Sequence, residues 1–135
     1  MASWKEISRV RKHPVEFRAI ASRILATNEI DLTEWEMVFL EEATKKLNVT
    51  EFTTAQAEKL LQIRDDTEIV RTWRGFSVEL LLKNCYEARC DLIESDEEWI
   101  IAIREAMRDG IRRRNLGRLA RIASRLGVIE EDGDL

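Results

Sequence analysis

Arginine is the residue type whose number and spacing in this chain could do chemistry. Residues 104–125 contain eight arginines and only two acidic residues. A guanidinium group can bind two phosphate oxygens at once, so arginines along one helix can follow a nucleic-acid backbone. The sequence therefore predicts nucleic-acid contact through six residues: Arg112, Arg113, Arg114, Arg118, Arg121 and Arg125.

Residues 111–126 are predicted to form one amphipathic helix, with Arg112–Asn115 at its N-terminus. At 100° per residue, its apolar residues gather on one side and four arginines form a narrow stripe on the other: Arg114, Arg118, Arg121 and Arg125. Residues 107–126 could also form a helix–turn–helix whose turn is 109–114. Four like charges in one stripe disfavour the isolated helix by about 0.2–0.5 kcal/mol per pair, so we expect something to compensate them.

Phosphates are one of several groups that could compensate the stripe. The chain has a net charge of −4, which is unusual for a general nucleic-acid binder. A protein partner has equal physical support, with the chain acting as an adaptor or inhibitor that docks through its acidic or arginine-rich surface. The acidic tail at 130–135 or the acidic middle of the chain could also cover the stripe, the latter within the fold or across a homo-oligomer.

A second arginine cluster is interleaved with aromatic residues. Arg71, Trp73 and Arg74 are followed by Phe76, and bases can stack on exposed aromatic rings between cationic groups. We therefore treat Arg71, Trp73 and Arg74 as a possible secondary contact. The alternative is that the aromatic residues anchor a loop to the core.

Composition indicates a folded binding protein rather than an enzyme. The 135 residues are 44% hydrophobic, which argues against disorder and predicts one domain over residues 1–129. Four of the last six residues are acidic, and we expect residues 130–135 to form a flexible acidic tail. One histidine and no recognisable nucleophile, phosphate-loop or metal pattern predict no catalytic residue, metal or cofactor. Cys85 and Cys90 are expected to be reduced core residues. The absence of a membrane span or signal peptide predicts a cytoplasmic protein that does not enter a membrane.

The fold class is predicted to be all-α, a compact single-domain bundle of six to eight short helices around one core. No four residues alternate as a strand would, whereas apolar residues recur at three and four. Capping boxes are predicted at Thr33, Thr53 and Ser95. Residues 33–47 carry apolar side chains at intervals of four and should form an antiparallel hairpin with the helix that follows Thr53. Residues 65–76 could form one or two further helical turns that end at Gly75.

The first capping boxes lie in a pattern that loosely resembles a known helical hairpin. Residues 32–40 read LTEWEMVFL. The pattern continues with Phe52-Thr53, Gln56 and the sequence EKLL at residues 58–61. This resembles a hairpin in small bacterial and phage proteins and covers about a quarter of the chain. The resemblance implies a helical pair and no activity, so we assign the chain to no family.

Overall fold

Helices dominate the fold, as the sequence predicted. The computed structural model describes residues 2–26, 32–107 and 109–129, and these ranges contain seven α-helices and four strands of two residues each. The chain divides into two compact units, Met1–Thr67 and Glu68–Leu135. The buried apolar residues form two clusters, one in each unit, rather than the single predicted core.

The domain boundaries inferred from the sequence stay predictions. The acidic tail at 130–135, proposed as a cover for the arginine stripe, lies outside the described residues. None of the helices in the described ranges combines the length and apolar composition needed to cross a bilayer.

Four helices with well-defined starts build the first unit. The hydroxyls of Ser3, Thr33 and Thr53 each accept a hydrogen bond from the backbone amide three residues on. Both capping boxes predicted here are present, and Pro14 begins the second helix as predicted. The helices are α1 (Trp4–Arg11), α2 (Pro14–Ala26), α3 (Glu34–Lys45) and α4 (Thr54–Asp66).

Helix α2 is the centre of the first unit. Its fully buried Phe17 stacks on Phe52, with ring centroids 3.7 Å apart and planes 10° from parallel. Helix α3 packs chiefly on α2, whereas α4 packs on α1 and α2. The predicted pair of α3 and α4 is therefore held together mainly through α2 and not by extensive direct packing.

A bidentate ion pair between Arg64 and Glu6 joins α1 to α4. The Arg64 guanidinium donates to both carboxylate oxygens of Glu6, at 2.7 and 3.1 Å. Hydrogen bonding from Arg64 lowers the pKa of the Glu6 carboxyl below its ordinary value. Because both side chains are partly exposed, the pair contributes about 1 kcal/mol or less to stability.

The second unit alternates short strands with three helices. Ser77 caps α5 as predicted, but the capping box predicted at Ser95 is absent because α6 already begins at Glu94. The elements are β1 (Ile69–Val70), β2 (Thr72–Trp73), β3 (Phe76–Ser77), α5 (Val78–Glu87), α6 (Glu94–Ala106), β4 (Ile111–Arg112) and α7 (Leu116–Arg125), with 3₁₀ turns at Arg89–Asp91 and Arg113–Asn115.

The helix predicted over residues 65–76 is wrong beyond the end of α4. Strands β2 and β3 form a hairpin in which Trp73 lies opposite Phe76. Its two turn residues, Arg74 and Gly75, have φ angles of +48° and +81°. Positive φ at both central residues is what a tight type I′ hairpin turn requires. Gly75 thus reverses a hairpin and does not end a helix.

The long helix predicted over residues 111–126 begins five residues late. Ile111 and Arg112 form β4, which pairs antiparallel with Val70 and Ile69 of β1. A strand and a 3₁₀ turn therefore separate α6 from α7, and the proposed helix–turn–helix is wrong. The predicted end is confirmed: Gly127, at φ +74°, and Val128 donate to the carbonyls of Ser124 and Ala123 in a Schellman motif.

Candidate functional site

Two arginines of the predicted stripe point at one carboxylate. Arg118 and Arg125 of α7 lie 3.0 and 3.5 Å from the two oxygens of Asp96, whose side chain is only 15% exposed. The Arg118 guanidinium also lies 4.8 Å from the centroid of the Trp99 ring. Asp96 sits in the first turn of α6, so the negative charge there also complements the helix dipole. The acidic middle of the chain thus compensates half of the stripe.

The other four predicted arginines lie in different environments. Arg112 is fully buried in β4, so it is removed from the predicted nucleic-acid contact: a buried guanidinium cannot reach a phosphate backbone at the surface. Arg113 lies 2.9 Å from Glu68, and Arg114 is half-buried. Arg121 is exposed and makes no ion pair with any described residue. The six arginines do not form one bare cationic surface.

The predicted secondary contact lies on the β2–β3 hairpin. Arg71 is 3.4 Å from Asp109, and the Arg74 guanidinium lies 4.9 Å from the centroid of the Trp73 ring. Trp73 also stacks on Phe76, at 6.2 Å between centroids, and packs against the core of the second unit. Trp73 therefore anchors the hairpin, as the alternative interpretation expected, while Phe76 and Arg74 stay exposed.

A cationic cluster that the sequence reasoning missed surrounds Tyr86 of α5. The guanidinium carbons of Arg89 and Arg104 lie 4.0 and 4.4 Å from the centroid of the Tyr86 ring. Beside Arg104, a cleft of about 340 Å³ opens between α5 and α6, lined by Glu79, Leu80, Lys83 and Arg104. The i, i+3 spacing of Tyr86 and Arg89 was a visible signal, but Arg104 joins them only through packing of α6 on α5.

An exposed apolar face runs along α3 in the first unit. Trp35 and Val38 are 58% and 48% exposed, and Trp35 stacks on the half-buried Phe39 at 5.3 Å. At 100° per residue these three side chains share one side of the helix. The apolar residues noted at intervals of four are Trp35, Phe39, Ala43 and Leu47. Of these, Ala43 is buried beside Leu40, Phe39 is half-buried, and Trp35 and Leu47 are exposed.

A shallow cleft continues this face toward α4. Its volume is about 70 Å³, and the stacked Phe17 and Phe52 rings and Phe39 contribute its apolar walls. Carboxylates of the exposed Glu34, Glu41 and Glu42 lie one turn before and after Val38. Lys59 of α4 holds its ammonium 5.2 Å from the Trp35 ring. We call this surface the α3 face: Glu34, Trp35, Val38, Phe39, Glu41, Glu42 and the cleft.

The two cysteines have different environments. Cys85 is fully buried on α5, and burial raises the pKa of its thiol to about 11. Cys90 is exposed in the 3₁₀ turn that follows α5, so its predicted core position is wrong. Within the described ranges, no three His, Cys, Asp or Glu residues are grouped to hold a metal ion.

We expect a thiol reagent at pH 8 to label Cys90 rapidly and Cys85 only after unfolding. With a pKa of about 11, only about one Cys85 thiol in a thousand is ionised at that pH, and burial blocks access as well. Ellman's reagent should count one thiol in the native protein and two in denaturant, and Cys90→Ser should remove the native signal. Two rapidly labelled native thiols would contradict the burial of Cys85.

No family model, curated protein or solved structure matches this chain. Its function must therefore be inferred from the surfaces themselves.

Proposed function

We propose that this protein acts by binding another protein through the α3 face. The observation that carries this proposal is the exposure of Trp35 and Val38 side by side on one helix. Leaving a large apolar side chain in water forgoes about 1.5–3 kcal/mol of burial free energy, so adjacent exposed ones favour a role in binding. Tryptophan is also the residue type most enriched at the energetic centres of protein interfaces.

The chemistry around Val38 favours a basic amphipathic helix as the partner segment. Such a helix presents apolar side chains at i, i+3 and i+4, which match an apolar face of this width. An aliphatic side chain of the partner could enter the cleft beside Phe39. Basic residues along one side of that apolar stripe would lie opposite Glu34 and Glu41, and Glu42 adds a further negative charge within the face; these carboxylates attract basic residues and disfavour acidic competitors.

Nucleic-acid contact through the arginines is a proposal with less physical support. Arg118 and Arg125 already face Asp96, and Arg113 faces Glu68. A phosphate would have to compete with these carboxylates in a chain of net negative charge. Its remaining support is the exposed Arg121 and the aromatic–arginine hairpin, where Phe76 and Arg74 could meet an unstacked base.

Affinity capture with matched tryptophan variants tests the protein-binding proposal. We expect wild-type protein to retain a partner that Trp35→Ala loses, because truncating a central interface tryptophan costs about 2 kcal/mol or more, a weakening of at least about thirtyfold. Trp4→Ala is the control, since Trp4 is 70% exposed on α1 of the same unit. Cross-linking should place a basic amphipathic helix of the partner against α3.

Equal capture by wild type and Trp35→Ala would contradict the proposal. A salt titration with random duplex and single-stranded DNA is measured in parallel. DNA binding that persists in Trp35→Ala but weakens in Arg74→Gln or Arg121→Gln would favour the nucleic-acid proposal instead. Concentration-dependent self-association that Trp35→Ala abolishes would identify the partner as a second copy of this chain.

A further inference from the structure

The cations around Tyr86 differ from Arg118 and Arg125 of α7 in having no carboxylate partner among the described residues. Arg89, Arg104 and Lys83 make no ion pair with any residue that the structure describes, although Arg89 and Arg104 are both half-buried. Partial burial strengthens the interaction of a guanidinium with any anion that reaches it. Lys83 and Arg104 line one cleft, and two such cations without an ion-pair partner in the described part of the chain are a suitable place for an anionic ligand.

Tyr86 holds the two guanidinium groups in place before any ligand arrives. Both lie over its ring, and Arg89 Nη1 donates a hydrogen bond of 2.8 Å to the Tyr86 carbonyl oxygen. Cation–π contacts of this kind restrict the movement of a guanidinium group, whose N–H groups can still donate to other acceptors. A guanidinium group that is already held in place loses less conformational entropy when a ligand binds. This favours a bidentate contact between the guanidinium group and two phosphate oxygens.

The cleft beside Arg104 is lined by three charged side chains and one apolar side chain. Its volume of about 340 Å³ lies in the range of ligand pockets, roughly 300–1,000 Å³. Lys83 and Arg104 supply positive charge, and the half-exposed Leu80 supplies an apolar wall. Glu79 supplies a carboxylate, which can accept hydrogen bonds from hydroxyl groups but repels additional negative charge.

We propose that this cleft binds a small phosphate monoester that also carries hydroxyl groups, such as a sugar phosphate or a nucleoside monophosphate. Lys83 and Arg104 hold the phosphate, Glu79 accepts hydrogen bonds from sugar hydroxyls, and Leu80 covers the apolar part of the ligand. Glu79 also discriminates against polyphosphates and nucleic-acid strands, whose further charges would lie close to it. This site belongs to the second unit and does not depend on the α3 face.

Titration calorimetry at low ionic strength tests the proposal with defined probes. The probes are inorganic phosphate, ribose phosphate, adenosine monophosphate, and ribose and adenosine as unphosphorylated controls. We expect saturable binding of the phosphorylated compounds only. Equal affinity for ribose phosphate and adenosine monophosphate would identify a sugar phosphate as the preferred class, and tighter binding of adenosine monophosphate would identify a nucleotide.

Charge-removing variants locate the binding. We expect Lys83→Gln to weaken binding of the phosphorylated probes about tenfold, the typical loss of one charge-assisted hydrogen bond. Lys83 is exposed, so this variant should fold normally even if Arg104→Gln, which removes a contact to Tyr86, does not. Arg121→Gln removes the same charge from an exposed position on α7 and should leave the affinity unchanged.

Several results would overturn the proposal. These are no saturable binding of any phosphorylated probe, equal binding of adenosine and its monophosphate, an unchanged affinity in Lys83→Gln, and an equal loss in Arg121→Gln. Binding of single-stranded DNA without binding of the small probes would also overturn it, since it would assign the cations to a nucleic-acid strand. Glu79→Gln adds a positive check: it should reduce the preference for ribose phosphate over inorganic phosphate.

Discussion

Phe17→Ala should lower the free energy of unfolding by about 3–5 kcal/mol, the usual range for removing a buried phenylalanine. Phe17 is fully buried on α2, and its ring stacks on Phe52 at the point where α2, α3 and α4 meet. Truncation removes the apolar contacts of the ring and leaves a cavity that the surrounding helices can fill only partly. Because total stabilities are about 5–15 kcal/mol, the loss is a large share of what holds this unit together.

Urea denaturation followed by circular dichroism measures this effect, and α2 contains a matched control. Val15 is 72% exposed two residues before Phe17, so Val15→Ala should change the free energy of unfolding by no more than about 0.5 kcal/mol. A loss below about 1 kcal/mol in Phe17→Ala would mean that the ring is not buried as the structure has it. Equal losses in both variants would point to an effect on α2 itself rather than on the core.

The helices of the first unit were predictable because their signals are local. A capping box needs only four consecutive residues, and those at Thr33 and Thr53 formed as predicted. The side of α3 that is buried was less predictable. Apolar residues at intervals of four indicated a stripe through Trp35, Phe39, Ala43 and Leu47. The helix fully buries only Ala43 of that stripe, together with Leu40 and most of Glu36. Which side of α3 meets α2 depends on how the two helices pack, and the sequence of α3 alone does not determine that.

The strands of the second unit could not be predicted because their pairing is non-local. Ile69 lies opposite Arg112, more than forty residues away in the chain. Strands of two residues are too short to show alternation, so the period of two that identifies a strand never appears. The burial of Arg112 depends on this pairing, and for that reason the residue looked like one more surface arginine in a helix.

The candidate sites follow the same division between local and non-local signals. The wheel over residues 111–126 correctly placed Arg118 and Arg125 on one side of a helix, since α7 contains both. It could not identify Asp96 as their shared partner, because that contact requires α6 to lie beside α7. The Tyr86 cluster needs α6 in place for the same reason. Charge density alone therefore pointed to a set of arginines of which Arg113, Arg118 and Arg125 face carboxylates, and it overlooked the cations around Tyr86 that face none in the residues described.

Gly110→Ala should lower the free energy of unfolding by about 1–3 kcal/mol, as overpacking of a tight site does. A Cβ at this position would lie 2.7 Å from Ile69 Cγ2 and 3.1 Å from the carbonyl oxygen of Val70. Both atoms belong to β1, and Val70 is backbone-paired with Ile111, the next residue after Gly110. The methyl group can fit only if the Ile69 side chain changes its rotamer and the Val70 carbonyl gives way, and the latter moves β1 and β4 apart beside the buried Ile111 and Arg112.

Gly117→Ala is the matched control for this steric explanation and should change stability in the opposite direction. Gly117 lies in the first turn of α7, and a Cβ there would meet no atom within 4 Å. Alanine in a helix is favoured over glycine by about 0.5–1 kcal/mol because the unfolded chain loses less freedom, with less gain near a helix end. Thermal melts of the two variants should therefore shift to opposite sides of the wild-type midpoint. If both substitutions stabilise the protein, the close approach of Gly110 to β1 is wrong, and with it the β1–β4 pairing that buries Arg112.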